Sequence, residues 1–435
     1  MDPTIRKQNF DLIIVVFNIT IAVYLFFPGF MSQDSISQYE QSLYMSFNNW
    51  HPISMSLLWA FLNKINSGTS LMLLIQIIML NIALFLWIKN NYSGKFSYLI
   101  YLVAYLPWIM NFEGVIWKDV QFAYTALLFI IYADLYSKHH KKIHLILMCL
   151  ALLYALNLRY NATFAIIPMM IFFYVFVSKK KFELLVRSQI MILVLAFVSP
   201  YAINSIINAK IGNPVAYFFY DDLTYISIKN NQSFVPNQNL ASVINCAQFE
   251  IGQQKLVGKI TCYAQKENLS EFEISNKIEN IGTFDKIVTH LDDYFEYRLE
   301  TYIYFIRYGD YEPYYIWHPG ILPNDFGLVY INNEIRDNFR KYIQRSAELS
   351  PYLFKPWIWQ LIGLLLISRF LYFSKPQYKI FNFMIIAGVV YNLSYFFFTP
   401  LADFRYVYFQ VLTSSIIIAT LFANRLNSFF AKYDD

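Results

Sequence analysis

Long apolar runs separated by short polar stretches dominate the chain. A bilayer crossing takes about 20 mostly apolar residues. Runs of this kind cover 10–28, 69–88, 96–112, 120–136, 145–158, 163–177, 188–207, 356–373, 380–399 and 406–423. They predict an all-α membrane protein with about ten transmembrane helices. The runs 145–158 and 163–177 are short and joined only by Arg159–Ala162, which predicts a tight helical hairpin or a partly re-entrant pair. No small-x-small cleavage site follows the first run, so it is expected to stay as an anchor. Between the first two runs, Ile36, Tyr39, Leu43 and Phe47 recur at helical spacing and predict an interfacial helix in the first outer loop. Trp50-His51-Pro52 reads as a turn into a second helix over 53–65. The pattern changes over 208–354, a polar stretch with Asp221, Asp222, Asp292, Asp293 and many Asn and Gln. Its length is that of a small domain. The chain therefore divides into an N-terminal transmembrane module, 1–207, an extracytoplasmic segment, 208–354, and a C-terminal transmembrane module, 355–435.

Composition agrees with this pattern. Of the 435 residues, 57% are hydrophobic and only 14% charged, where soluble domains carry about 25%. That excludes a disordered chain, a nucleic-acid-binding domain and an ordinary cytosolic enzyme. Placement of the 34 Lys and Arg residues sets the orientation, because short cytoplasmic loops collect them. With the N-terminus in the cytoplasm, that side holds 16 of them: Arg6, Lys7, Lys89, Lys95, Lys138, Lys141, Lys142, Lys179, Lys180, Lys181, Arg187, Arg369, Lys375, Lys379, Arg425 and Lys432. The short outer connections hold Lys64, Lys118, Arg159 and Arg405 alone, and the other 14 lie in the long outer stretch counted through Lys355, 208–355. Both termini are thus expected in the cytoplasm, with the chain in the cell's inner membrane. Cys246 and Cys262 fall in the outer segment, where an oxidising exterior permits either a disulfide or two separate thiols. Cys149 sits inside a run and reads as packing. There is no repeat at a solenoid period, and neither GxGxxG nor GxxxxGK[ST] occurs.

Four stretches meet the outer surface: 31–39, 113–119, 159–161 and 400–406. Together they carry the acids Asp34, Asp119 and Asp403 and the cations Lys118, Arg159 and Arg405. Each residue has an ordinary structural reading. Asp34 fits a first-turn acid at a helix start, the cations fit as snorkelling side chains, and Asp403 and Arg405 fit as a pair. As a set they point elsewhere. Charges near a bilayer are costly, and cations on the outer side are scarce in this chain. Lys and Arg at the lip of a membrane groove suit a lipid phosphate, with Arg gripping it bidentately. A nearby carboxylate takes a proton from an attacking hydroxyl. A second carboxylate suits a divalent cation, magnesium or manganese, that neutralises the leaving phosphate.

The stretch Pro28-Gly29-Phe30-Met31-Ser32-Gln33-Asp34-Ser35, followed by Trp50-His51-Pro52, resembles the start of polytopic C-type glycosyltransferases. Trp117-Lys118-Asp119 and Asp403-Phe404-Arg405-Tyr406 resemble the same superfamily. These enzymes use polyprenyl-phosphate sugars. The resemblance implies that Asp34 activates the acceptor hydroxyl. It also implies that Asp119 assists it or binds metal. The first loop has a single acid where the superfamily often has an Asp-Glu or Asp-Asp pair. Two subgroups match in size: the transferases that decorate lipopolysaccharide or cell-wall polymers, including the serotype-converting O-antigen glucosyltransferases, and the protein O-mannosyltransferases.

The expected activity is hexose transfer from a polyprenyl-phosphate carrier to an extracytoplasmic acceptor such as O-antigen. Lys118, Arg159 and Arg405 are the lipid-phosphate ligands. His51, Asp403, Tyr314 and Trp317 are support or acceptor residues, the last two within an aromatic-rich stretch, 294–317, that fits sugar stacking or an interfacial belt. An O-antigen polymerase or ligase acting on diphosphate-linked glycans is the enzymatic rival, with Arg298 and Arg307 as its candidate arginines. A lipid-linked sugar flippase or transporter is the rival from another class. It is disfavoured because such proteins place ionisable groups near the midplane.

Overall fold

The architecture is given by a computed structural model that describes residues 3–92, 94–172, 194–195, 198–252, 254–373 and 378–431. Among these residues the chain is helical, with four isolated β-bridges and no strand. The first half contains α1 (Pro3–Phe26), α2 (Gln33–Tyr44), α3 (Ser54–Asn63), α4 (Ser70–Asn91), α5 (Pro107–Glu113), α6 (Lys118–His139), α7 (Lys142–Leu156) and α8 (Thr163–Phe172). The polar segment folds into α9 (Ala216–Lys229), α10 (Leu240–Ala247), α11 (Ile260–Glu267), α12 (Glu271–Ser275), α13 (Asn280–Thr289), α14 (Leu291–Phe305) and α15 (Glu334–Leu349). Three helices close the chain: α16 (Pro356–Phe373), α17 (Tyr378–Phe398) and α18 (Tyr408–Phe430).

Four helical segments are long and apolar enough to cross a membrane: Ser70–Asn91, Lys118–His139, Lys379–Phe398 and Phe404–Phe430. Shorter apolar helices run over Phe10–Phe26, Lys142–Leu156 and Pro356–Tyr372. This is an all-α architecture compatible with a membrane protein. The expected crossing at 96–112 is not a single helix. A 3-10 helix, Ser97–Tyr105, gives way to α5, and Leu106 between them is extended. Pro107 is the cause, since a proline disfavours α geometry in the residue before it. The runs 163–177 and 188–207 lie partly outside the described residues, as do Lys179, Lys180, Lys181, Arg187, Lys375 and Lys432.

The core centres on α6 and α18, which are buried along most of their length. Polar side chains tie these helices to their neighbours. The Tyr124 and Tyr408 hydroxyls meet at 2.9 Å, Trp87 Nε1 donates to Thr420 Oγ1 at 2.9 Å, and Gln410 Nε2 donates to the Trp359 carbonyl at 2.9 Å. Inside a bilayer such bonds satisfy polar groups that lipid cannot. The outward faces are apolar: Ile13 and Val16 on α1, Ile146 and Leu150 on α7, and Leu364 and Leu365 on α16 are exposed. Cys149 shares the outward face of α7 and is exposed, so the expected packing role fails. Its neighbours at helical spacing project to the outside rather than into the bundle.

The polar segment builds a small core of its own. Tyr220 and Leu223 of α9 pack with Val243 of α10 and Ile260 and Tyr263 of α11. Cys246 and Cys262 form a disulfide between α10 and α11. In the same segment, Arg298 of α14 pairs with buried Asp222 at 2.5 Å. Tyr304, Phe305, Ile343 and Phe354, later in the segment, join the core of the apolar helices instead.

Candidate functional site

A short backbone network fixes the loop that leaves α1. Phe30 N–H donates to the Gly114 carbonyl at 2.8 Å and Ile116 N–H returns a bond to Phe30 at 2.9 Å. On the other side, Met31 N–H donates to Gly320 at 2.9 Å and Leu322 N–H to Met31 at 3.0 Å. The loop is thus held between the turn before α6 and the loop after α14. Gly29 adopts φ +118°, and a Cβ there would lie 2.6 Å from Ile116. Two side chains complete the junction: Ser35 Oγ donates to the Ile116 carbonyl at 2.6 Å, and Trp117 Nε1 donates to Ser32 Oγ at 2.7 Å. As a result the first turns of α2 and α6 meet. Those turns carry Asp34, and Lys118 with Asp119.

The charged residues expected from four separate stretches converge here. Arg405, in the turn before α18, places Nη1 3.0 Å from Asp34 Oδ2 across 371 residues of sequence. Lys118 Nζ lies 4.0 Å from the same oxygen, and His51 Nε2 lies 3.7 Å from Asp34 Oδ1. His51 Nδ1 accepts from Lys118 Nζ at 2.7 Å. Arg405 Nε is also 3.3 Å from Asp403 Oδ2. Its guanidinium lies against Trp117 and Tyr406, 4.7 and 4.9 Å from the ring centres. Arg159, at the α7–α8 turn, pairs with Asp119 at 2.7 Å. It donates to the Tyr395 hydroxyl at 2.9 Å and lies 5.0 Å from the Tyr406 ring centre. Tyr406 thus stands between Arg159 and Arg405.

Accessibility separates the members of this set. The side chains of Lys118, Arg405 and Asp119 are 9%, 7% and 3% exposed, whereas Asp34 is 31% exposed. Asp34 therefore has the open oxygens of the cluster. Burial raises its carboxyl, but the charges of Arg405 and Lys118 outweigh that and hold it well below the usual carboxylate range. His51 is pushed down to about 3, first by burial and then by Lys118, so it is neutral at physiological pH. With Nδ1 accepting from Lys118, its proton sits on Nε2, facing Asp34. Burial raises Asp403 to about 6 against the opposing pull of Arg405.

Some expected residues take other positions. Tyr314 lies 5.1 Å below the Arg307 guanidinium. Trp317 packs edge-on against Phe30 and Phe339. Arg298 belongs to the Asp222 pair, away from Asp34. Asp119, the expected metal ligand, is taken up by Arg159, and no group of three His, Cys, Asp or Glu side chains able to hold a metal occurs among the described residues. The donors present do not fit a divalent-cation site.

Other contributors went unnoticed in the sequence. Trp117 and Tyr406 lie inside motifs already singled out, so a signal for them existed. Tyr395 sits in an aromatic run of α17 and had none. His318, wholly buried against Trp117, Phe30 and Tyr315, is pushed down to about 4 by burial.

Comparison with known proteins finds no match to this chain, whether among family models, curated proteins or solved structures.

Proposed function

We propose that the chain is a membrane glycosyltransferase of the C type, with about ten spans and a site that faces out of the cell's inner membrane. It moves a hexose from a polyprenyl-phosphate carrier to an extracytoplasmic acceptor, a surface polysaccharide such as O-antigen. One observation carries the reading: Asp34, Lys118 and Arg405 converge from distant stretches, and the carboxylate is the open member.

The chemistry follows from this arrangement. Arg405 and Lys118 bind the donor phosphate and neutralise it as it leaves. Asp34 accepts the proton of the acceptor hydroxyl. The acceptor oxygen bonds to the anomeric carbon as the bond from that carbon to the phosphate oxygen breaks, and the lipid phosphate departs with the electron pair. Neutral His51 stands beside the carboxylate, Nε2 3.7 Å from Oδ1, without competing for the acceptor's proton. Arg159 and Asp119 form a buried support that positions Tyr406 against Arg405. Transport is the weaker alternative, because these charges sit at helix ends and loops rather than at mid-helix. Asp134 on α6 lies near the opposite end of that helix and pairs with Lys138 at 2.9 Å.

The test is transfer by the purified full-length chain in nanodiscs, with a polyprenyl-phosphate hexose and an isolated surface-polysaccharide acceptor. Asp34→Asn is expected to lower transfer by about a hundredfold or more while donor binding is kept or tightened, because Arg405 and Lys118 lose a competing carboxylate, and thermal unfolding stays nearly unchanged. A fully active Asp34→Asn protein sinks the proposal.

A further inference from the structure

Among the described residues Arg307 is a buried cation with no ion-pair partner; Asp403 feels its charge only at longer range. Only 5% of it is exposed, and among the described residues no carboxylate comes within ion-pair distance of its guanidinium. Its Nε has no hydrogen-bond partner. Nη2 makes one long bond, 3.5 Å, to the Ala402 carbonyl. The guanidinium is clamped between Tyr304 and Tyr314, 4.3 and 5.1 Å from the ring centres. The Arg307 backbone has φ +54°, a left-handed geometry that costs a residue with a Cβ about 1 kcal/mol or more. A charge buried at such cost is ordinarily matched by a counter-ion.

A second unmatched donor adjoins it. Gln254 is 1% exposed. Its Oε1 accepts from Ala402 N–H at 2.9 Å, which directs the amide, and its Nε2 has no hydrogen-bond partner among the described residues. Arg307 and Gln254 thus grip the carbonyl and the N–H of one residue, Ala402. Asp403 follows immediately, and Arg405 lies three residues on, at most about 11 Å of backbone away. Two buried donor groups with unused N–H bonds therefore stand close along the chain to the charged cluster that holds Asp34.

We infer that Arg307 and Gln254 form a second oxyanion subsite, one that takes a phosphoryl group beside the phosphate held by Arg405 and Lys118. The inference rests on reading the Asp34 cluster as a lipid-phosphate site. Two sources supply such a group: the outer phosphate of a lipid diphosphate, or a phosphate carried on the acceptor glycan. Arg307 supplies charge and Gln254 supplies a neutral N–H, a combination that suits a phosphate oxygen. The two tyrosine faces hold the guanidinium flat, so that its edge is what the ligand meets.

Binding to the full-length chain in nanodiscs tests this, with no transfer required. The probes are farnesyl phosphate, farnesyl diphosphate, and glucose 6-phosphate added to protein saturated with farnesyl phosphate. If the lipid is the source, farnesyl diphosphate binds about tenfold more tightly than farnesyl phosphate, and Arg307→Gln removes the advantage while farnesyl phosphate affinity stays the same. If the acceptor is the source, the two lipids bind alike, and glucose 6-phosphate binds the loaded protein in a manner that Arg307→Gln abolishes. Gln254→Glu keeps the acceptor for Ala402 N–H and puts a carboxylate where the anion would sit, so it gives the same losses even if Arg307→Gln fails to fold. Diphosphate and glucose 6-phosphate affinities that ignore both substitutions overturn the inference. Loss of transfer in Asp34→Asn bears only on the proposed activity, because that variant keeps Arg307 and Gln254.

Discussion

In the proposed reaction Asp34 is an unusual general base, because Arg405 and Lys118 hold its proton affinity down in the unliganded chain. A bound phosphate competes for the same two cations, so donor binding itself raises the basicity of Asp34 where it is needed. Asp403 works on the same balance from the other side, since it shares Arg405. Its carboxyl titrates near 6 because of burial. Below that pH it is neutral and releases Arg405 to the donor. Above it the anion competes. The sign for folding matches: a raised acid contributes stability that is complete below its unfolded value and lost as pH rises through 6. A sugar phosphodiester does not titrate in this range. Its affinity is therefore expected to fall about fivefold between pH 5 and pH 7, and Asp403→Asn is expected to flatten that profile in a binding titration. The Arg159–Asp119 pair behaves differently. Both side chains are buried, so Asp119→Asn strands a cation and is expected to cost about 3–5 kcal/mol in unfolding measurements. A loss of transfer at unchanged stability would instead place Asp119 in contact with substrate. At this scale the acids and cations were legible from their placement in short outer loops. His318, Gln254 and the pairing of Arg159 with Asp119 were not, because each depends on which loops touch, and spacing carries no record of that.

Among the elements, the uninterrupted apolar runs were the easiest to read. Ser70–Asn91 and Lys118–His139 match their expected spans closely. The run 96–112 misled because hydropathy registers apolarity and not backbone geometry, and Pro107 breaks the helix without lowering it. That break has a use. It starts α5 afresh, and α5 stops at Glu113, where Gly114 turns under Phe26 and Val115 pairs with Phe30. A Cβ on Gly114 would lie 2.0 Å from the Phe26 ring. Gly114→Ala is therefore expected to push the loop carrying Asp34 out of register with α6. The expected cost is about 1–3 kcal/mol in thermal unfolding, together with a loss of donor binding that Gly282→Ala does not show, since nearest neighbours there are at ordinary contact distance.

For the whole molecule, α6 gives the axis. It has 22 residues, about 33 Å at the α-helical rise, which is about the thickness of a bilayer's hydrocarbon core. Lys118 and Asp119 stand at its start, in the charged cluster, and Lys138 and His139 at its end. The site and the basic end therefore lie one bilayer apart. The excess of Lys and Arg expected on the Lys138 end predicts that this end is cytoplasmic, and the proposed function then has the Asp34 cluster open outward, with a lipid-borne sugar as donor. Lys64, just beyond α3, and Lys141, before α7, are both exposed and mark the two sides. In a chain with Cys149 replaced by Ser, Lys64→Cys on intact cells is expected to react with a membrane-impermeant maleimide, and Lys141→Cys only after the membrane is opened. The disulfide-bonded Cys246 and Cys262 stay silent in either case. The opposite labelling would turn the cluster to the cytoplasm, where activated nucleotide sugars compete as donors, and the case for a polyprenyl-phosphate substrate would lose its physical basis.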